Sequence, residues 1–282
     1  MTTILDRAPS DRLPLRVLAT DPRRIDRQLP PWARRSHPIV RTELGALRKV
    51  MTPDLRLPLR LVALQAVLIA ITLPLPGLFN LLLPVVTVPV VLLPIVLYFY
   101  IESLVRVGIA AASSVAQDQR RGRFPLLRVT PIPLREILTA KACGAIWRQA
   151  ETLDLLMMSA AVLSLPLLIL QYASQYPPAV YPIESRLLMV GGLLIAVVRV
   201  MIEAPMIAAL GVLMGAVTGA RIPAVLATGA LGLAYFVLLN LPRLLPLDPA
   251  GRFLVELVLP VILPPAITYG SLLLAVRVLE RD

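Results

Sequence analysis

Long apolar runs separated by short breaks fill the chain from about residue 58 onward. A bilayer core takes about 20 predominantly apolar residues per helix. Laid along the sequence, that length predicts six membrane-spanning helices, at about 58–77, 82–112, 152–172, 186–216, 222–245 and 253–278. The second and fourth runs exceed one bilayer thickness and are expected to tilt or to extend into water. Pro84, Pro89 and Pro94 in the second, Pro205 in the fourth and Pro260, Pro264 and Pro265 in the sixth predict kinked or broken helices. Spans tolerate such breaks where neighbouring helices or water satisfy the freed carbonyls. The pattern is that of an all-α polytopic membrane protein.

Ahead of these runs the text is different. Residues 1–37 are rich in Arg, Pro and Asp and lack the apolar core of a secretory signal, so they read as a disordered cytoplasmic tail. The pentapeptide RLPLR occurs at 12–16 and again at 56–60, a coincidence expected in so Arg/Leu/Pro-rich a chain. From His37, "HPIVRTELGALRKVM" places Pro38 near a helix start and spaces Ile39, Val40, Leu44, Leu47 and Val50 helically among Arg41, Glu43, Arg48 and Lys49. This is either an amphipathic helix lying on the membrane or a solvated helix leading into the first span. The chain thus divides into a tail, 1–37, and a membrane domain, 38–282.

Composition sharpens the membrane reading. A mean hydropathy of +0.79, with 57% hydrophobic and 16% charged residues, excludes an ordinary soluble domain. The net charge of +11 fits cytoplasmic loops and anionic headgroups, and no aromatic-interleaved basic patch points to nucleic acid. Lys49 and Lys141 are the only lysines among 28 cationic residues, an arginine bias typical of high-GC bacteria. Cations crowd into 1–57 and 117–148 and are missing from 78–81 and 173–185, so the positive-inside rule puts both termini in the cytoplasm. Arg243 and Arg252, between the fifth and sixth runs, violate that rule mildly. Cys143 is single and cannot form an internal disulfide.

The stretch "RRGRFPLLRVTPIPLREILTAKA", 120–142, lies between the second and third runs. Gly122 breaks the preceding helix, Phe124, Leu126, Leu127 and Val129 form a short apolar element, and Thr130, Pro131 and Pro133 break it again. A short basic helix with exposed leucines either docks on a partner or lies on lipid headgroups.

Here the chain resembles bacterial ABC exporter permeases of the second type, whose cytoplasmic loop follows E-R-x-x-G-T-x-E-L-L-x-x-T-P-L-S-x-x-E-I-L-x-x-K. Gly122, Leu126, Leu127, Thr130, Pro131, Glu136, Ile137, Leu138 and Lys141 fall at matching positions without a gap. "HPIVRTEL" is similar to the N-P-[IV]-x-x-[RK]-E-L opening of that family's elbow helix, with His37 for Asn, and "LGVLMGAVTGARIPAVLATGALGL" resembles its fourth-to-fifth span junction. The resemblance covers about 37–282. It implies six spans with an N-terminal amphipathic elbow helix and a cytoplasmic coupling helix, in the bacterial cytoplasmic membrane. It also implies a second permease copy or a paralogue, and an ABC ATPase that grips 117–141. The coupling contacts would be Leu126, Leu127 and Arg128, with Glu136 and Lys141 orienting the loop. Gln119 and Arg120 replace the family's acidic pair, Arg123 its Thr, Pro125 its Glu and Pro133 its Ser. Acid has been exchanged for base, so the partner groove should be acidic.

Neither lysine sits in G-x-x-x-x-G-K-[ST], so this chain is not expected to be the ATPase; ATP and Mg²⁺ would reside on the partner. With His37 the sole histidine, no His-based triad or His/Cys zinc cluster can be assembled. The informative charges are intramembrane. "YIESLVR" sets Glu102 and Arg106 at i,i+4 in the second run, and "RVMIE" sets Arg199 and Glu203 at the same spacing in the fourth. Each ionisable group costs about 2.5–3.5 kcal/mol to insert, so all four are expected to face the bundle interior and neutralise one another. They would form a structural clamp or the polar lining of a substrate path. A contrasting reading makes the chain a non-transporting subunit that anchors a larger membrane complex.

Overall fold

The computed structural model describes residues 29–45, 56–75, 77–78, 91–177, 180–245 and 247–281. The tail before residue 29, the end of the proposed amphipathic helix, and Pro84 and Pro89 lie outside the described residues. Among those described, every regular element is helical. In chain order the α-helices are α1 (Pro38–Leu44), α2 (Arg56–Ile71), α3 (Leu93–Arg120), α4 (Arg123–Arg128), α5 (Leu134–Trp147), α6 (Ala150–Gln175), α7 (Pro182–Thr218), α8 (Arg221–Asn240), α9 (Pro249–Phe253) and α10 (Leu259–Arg281).

Among the described residues, five helical stretches are long and apolar enough to cross a membrane: Leu93–Arg120, Ala150–Tyr172, Pro182–Thr218, Arg221–Asn240 and Ala250–Arg281. The first expected span is shorter than anticipated. Instead of running to residue 77, α2 stops at Ile71 after 16 residues, or about 24 Å at 1.5 Å per residue. Pro74 and Pro76 follow closely, and a residue before proline is pushed out of helical geometry. Elsewhere the prolines break less than expected, since α7 runs through Pro205 and α10 through Pro264 and Pro265 without interruption. Pro260 acts differently. A π-helical turn, Leu254–Val258, lies just before it, where the regular hydrogen-bond ladder is interrupted.

At 37 residues, or about 55 Å, α7 is the axis of the fold, packed against α2, α3, α5, α6, α8 and α10. Lipid supplies no hydrophobic drive between helices, so close packing of small residues must hold them. Gly211 and Gly215 of α7 face Ala111, Ala112 and Val115 of α3, and a Cβ on Gly211 would lie 2.8 Å from the Gly108 carbonyl. The outer faces are apolar, as lipid requires: Ile222, Leu226 and Leu233 on α8 are each more than 60% exposed.

The two ends of the bundle differ. One gathers α1, α4, α5 and the last turns of α3 and α10, together with most of the basic residues. α1 presses Val40 and Leu44 into a cluster with Ala140, Trp147 and Ala150, so this apolar face is covered by protein. The opposite end joins α2 to α7: Arg186 donates to the Thr72 hydroxyl at 3.0 Å, the Thr72 carbonyl at 2.8 Å and the Pro182 carbonyl at 2.6 Å.

Candidate functional site

The basic end contains the short element between the two breaks. α3 ends at Arg120, and Gly122 at φ 63° takes the left-handed conformation that starts α4 in a new direction. Alternate sides of α4 then divide. Phe124 is buried with Leu138, Ala142 and Val212, and Leu127 packs partly against the same cluster. Leu126 is 72% exposed and Val129 85% exposed. Thr130 closes the turn, its hydroxyl donating to the Leu127 carbonyl at 2.6 Å, before the carbonyl of Pro133 caps α5. Leu127, expected as an outward contact, is therefore half-buried, and Val129 stands outward beside Leu126. The side chain of Arg128 lies outside the described residues. Next to this knob, Thr130–Leu134, Ile137 and Glu280 line a hollow of about 490 Å³.

Beneath α4 lies a buried ionic node. Lys141, 4% exposed, places Nζ 2.6 Å from Asp118 Oδ2 of α3 and 2.9 Å from Glu43 Oε1 of α1. Arg148 reaches the same Glu43 at 3.3 Å and its carbonyl at 3.0 Å, while Arg123 of α4 lies 3.6 Å from Asp118. Two carboxylates are thus matched by three cations, and four helices are joined. Gly144 makes the approach of α1 possible, since a Cβ there would meet the Glu43 Cβ at 2.8 Å. Trp147 donates its indole N–H to the Ala33 carbonyl at 2.9 Å, and Glu136 sits 3.5 Å from His37 Nε2. Asp118 was invisible as a partner in the sequence, because its register relative to Lys141 depends on how the chain turns at Gly122. Close by, burial pushes the Cys143 thiol up to about 12, so it is neutral at physiological pH.

The intramembrane charges form two separate pairs. Glu203 is fully buried, accepts from Arg199 Nε at 2.8 Å and from the Tyr235 hydroxyl at 3.0 Å, and also accepts from the Tyr100 hydroxyl. One carboxylate thus ties α3, α7 and α8 together. Glu102 and Arg106 pair at 2.5 Å on α3 but face outward, with side-chain exposures of 31% and 59%. The two pairs do not neutralise each other, and the outward pair departs from the expectation that all four charges face the bundle interior.

A further buried pair was missed. Arg252 Nη1 lies 3.1 Å from Glu256 Oε1, with both side chains about 5% exposed, and Gln171 and Tyr172 of α6 also donate to Glu256. "RFLVE" has the spacing of "RVMIE", but its arginine precedes the apolar run and shows in the sequence only as a loop cation.

Comparison with protein-family models, curated proteins and solved structures gives no match to this chain.

Proposed function

We propose that this chain is the membrane-spanning permease subunit of an ATP-driven ABC exporter in a bacterial cytoplasmic membrane. One observation carries the reading most: Lys141, which ends the loop pattern, bonds directly to Glu43 of the elbow-like motif. Two stretches read independently in the sequence are thereby partners in one node. That node braces α4 and leaves Leu126 and Val129 outward on a basic surface. On this reading a separate ATPase binds ATP and Mg²⁺, grips α4, and passes its closure through Lys141 to α1, α3 and α5. ATP biases the spans only insofar as the ATPase contacts differ between their two arrangements.

The six-span count belongs to this proposal, with α2 as the shortest span, as do the cytoplasmic placement of the basic end and the role of α1 as an elbow at the membrane surface. A second reading, a non-transporting anchor subunit, is favoured by the loop's loss of acid at Gln119 and Arg120 and its gain of base at Arg120 and Arg123.

Tagged protein solubilised from its native membrane provides the test. Co-purification of an ABC ATPase, lost when Leu126 and Val129 are changed to Asp while membrane insertion persists, is the expected result. Recovery of other membrane subunits without an ATPase would favour the anchor.

A further inference from the structure

Glu102 lies about 14 Å from the start of α3 and Arg106 about 21 Å from its end, at 1.5 Å per residue. Both are therefore well inside the thickness of the hydrocarbon. Their face is continuous: Tyr98, Ile101 and Val105, which are 64%, 57% and 50% exposed, surround the pair at helical spacing. The reverse face of α3, with Leu104, Val107 and Ala111, is buried. Within the chain, Arg106 gives Nη2 to Glu102 Oε1. A guanidinium has five N–H donors and a carboxylate two acceptor oxygens, and lipid offers partners for none of the remainder. A water-lined groove is a poor cover, because the charges are framed by a broad aromatic and aliphatic surface.

We infer that this face of α3 is the contact with a second copy of the chain, in which Glu102 of each copy takes Arg106 of the other. The face carries one charge of each sign and is complementary to itself. A two-fold axis along the membrane normal would set the two α3 helices parallel at equal depth. Glu102 and Arg106 are separated by about 6 Å along the helix, a distance an arginine side chain bridges. The four groups then close a ring of alternating charge, and Ile101 and Val105 pack around it. Such an interface is isologous and closes at two copies. The ring requires no ATPase, so it and the exporter reading can fail separately.

The test uses the full chain in native membranes, with Cys143 first changed to Ala. Val105→Cys, which leaves both charges intact, should give a disulfide-linked dimer under mild oxidation, whereas Leu233→Cys on the outer face of α8 should stay monomeric. Differently tagged E102R and R106E copies provide the second arm. Each alone should lose self-capture at least tenfold, and the two co-expressed should capture one another at the parent level. A monomeric Val105→Cys protein, cross-linking of that cysteine to a different membrane protein, or charge variants that self-associate like the parent would each overturn the proposal.

Discussion

Lys141 sits between two carboxylates with nearly all of its surface covered. Removing one member of a buried ionic group leaves the others desolvated without compensation, at a cost of about 3–5 kcal/mol. Glu43 and Asp118 retain some water access and Arg148 and Arg123 remain beside them, so Lys141→Ala is expected to cost about 2–3 kcal/mol. Thermal unfolding in detergent should show a clear fall in Tm, and a double-mutant cycle with Asp118→Asn should show strong coupling. Glu203 poses the same problem in a drier place: Glu203→Ala leaves Arg199 and two tyrosine hydroxyls without their common acceptor, and Glu203→Gln should recover more folded protein than Glu203→Ala. Cys143 supplies a pH test. With its thiol pushed up to about 12, maleimide labelling of the native protein should be slow at pH 7 and rise steadily to pH 9 and beyond, without the plateau expected near 8.5 for a free thiol. A plateau near that value would mean that Cys143 is not desolvated. At this scale the pairs Glu102–Arg106 and Arg199–Glu203 were legible, because helical spacing alone places such residues together, whereas Arg252–Glu256 escaped at the same spacing because its arginine lies beside a loop. Which pairs face inward was not, since that depends on helix rotation within the bundle.

At the scale of elements, the sequence marked the helices well and their ends less well. Apolar runs located α3, α6, α7, α8 and α10, but hydropathy does not register where a proline truncates a helix or a π turn interrupts one. α2 ended early for the first reason and the Leu254–Val258 turn escaped notice for the second. The tightest element contact makes a prediction of its own. Gly211→Val would force side-chain atoms against the Gly108 carbonyl and Ala111, prising α3 from α7. Overpacking of this kind costs about 1–3 kcal/mol where side chains can yield, and backbone yields less. Size-exclusion chromatography should report loss of the monodisperse peak, while Gly229→Ala, whose Cβ would meet nothing within 4 Å, should behave as the parent.

Across the whole molecule, the charged node and the exposed knob occupy one end, so the surface at 117–141 is braced from behind and open in front. The sequence identified that surface through Gly122, Thr130 and Pro131, whose backbone roles are local. It could not tell Leu126 from Leu127, because a helix of only 6 residues has too little periodicity to fix which side faces the core. On the exporter reading that division predicts an asymmetric result: Leu126→Asp should abolish capture of an ATPase while preserving the fold, whereas Leu127→Asp should lower yield and Tm before any binding is measured.

α7 reaches from the Arg186 latch at one end to the Gly219 turn at the other as a single unbroken helix. It therefore behaves mechanically as a keel. Pulled from the C-terminus by a force probe, the protein should release α10 and α8 in modest steps and then resist most strongly at α7, because extracting that helix strips every remaining neighbour of its support at once.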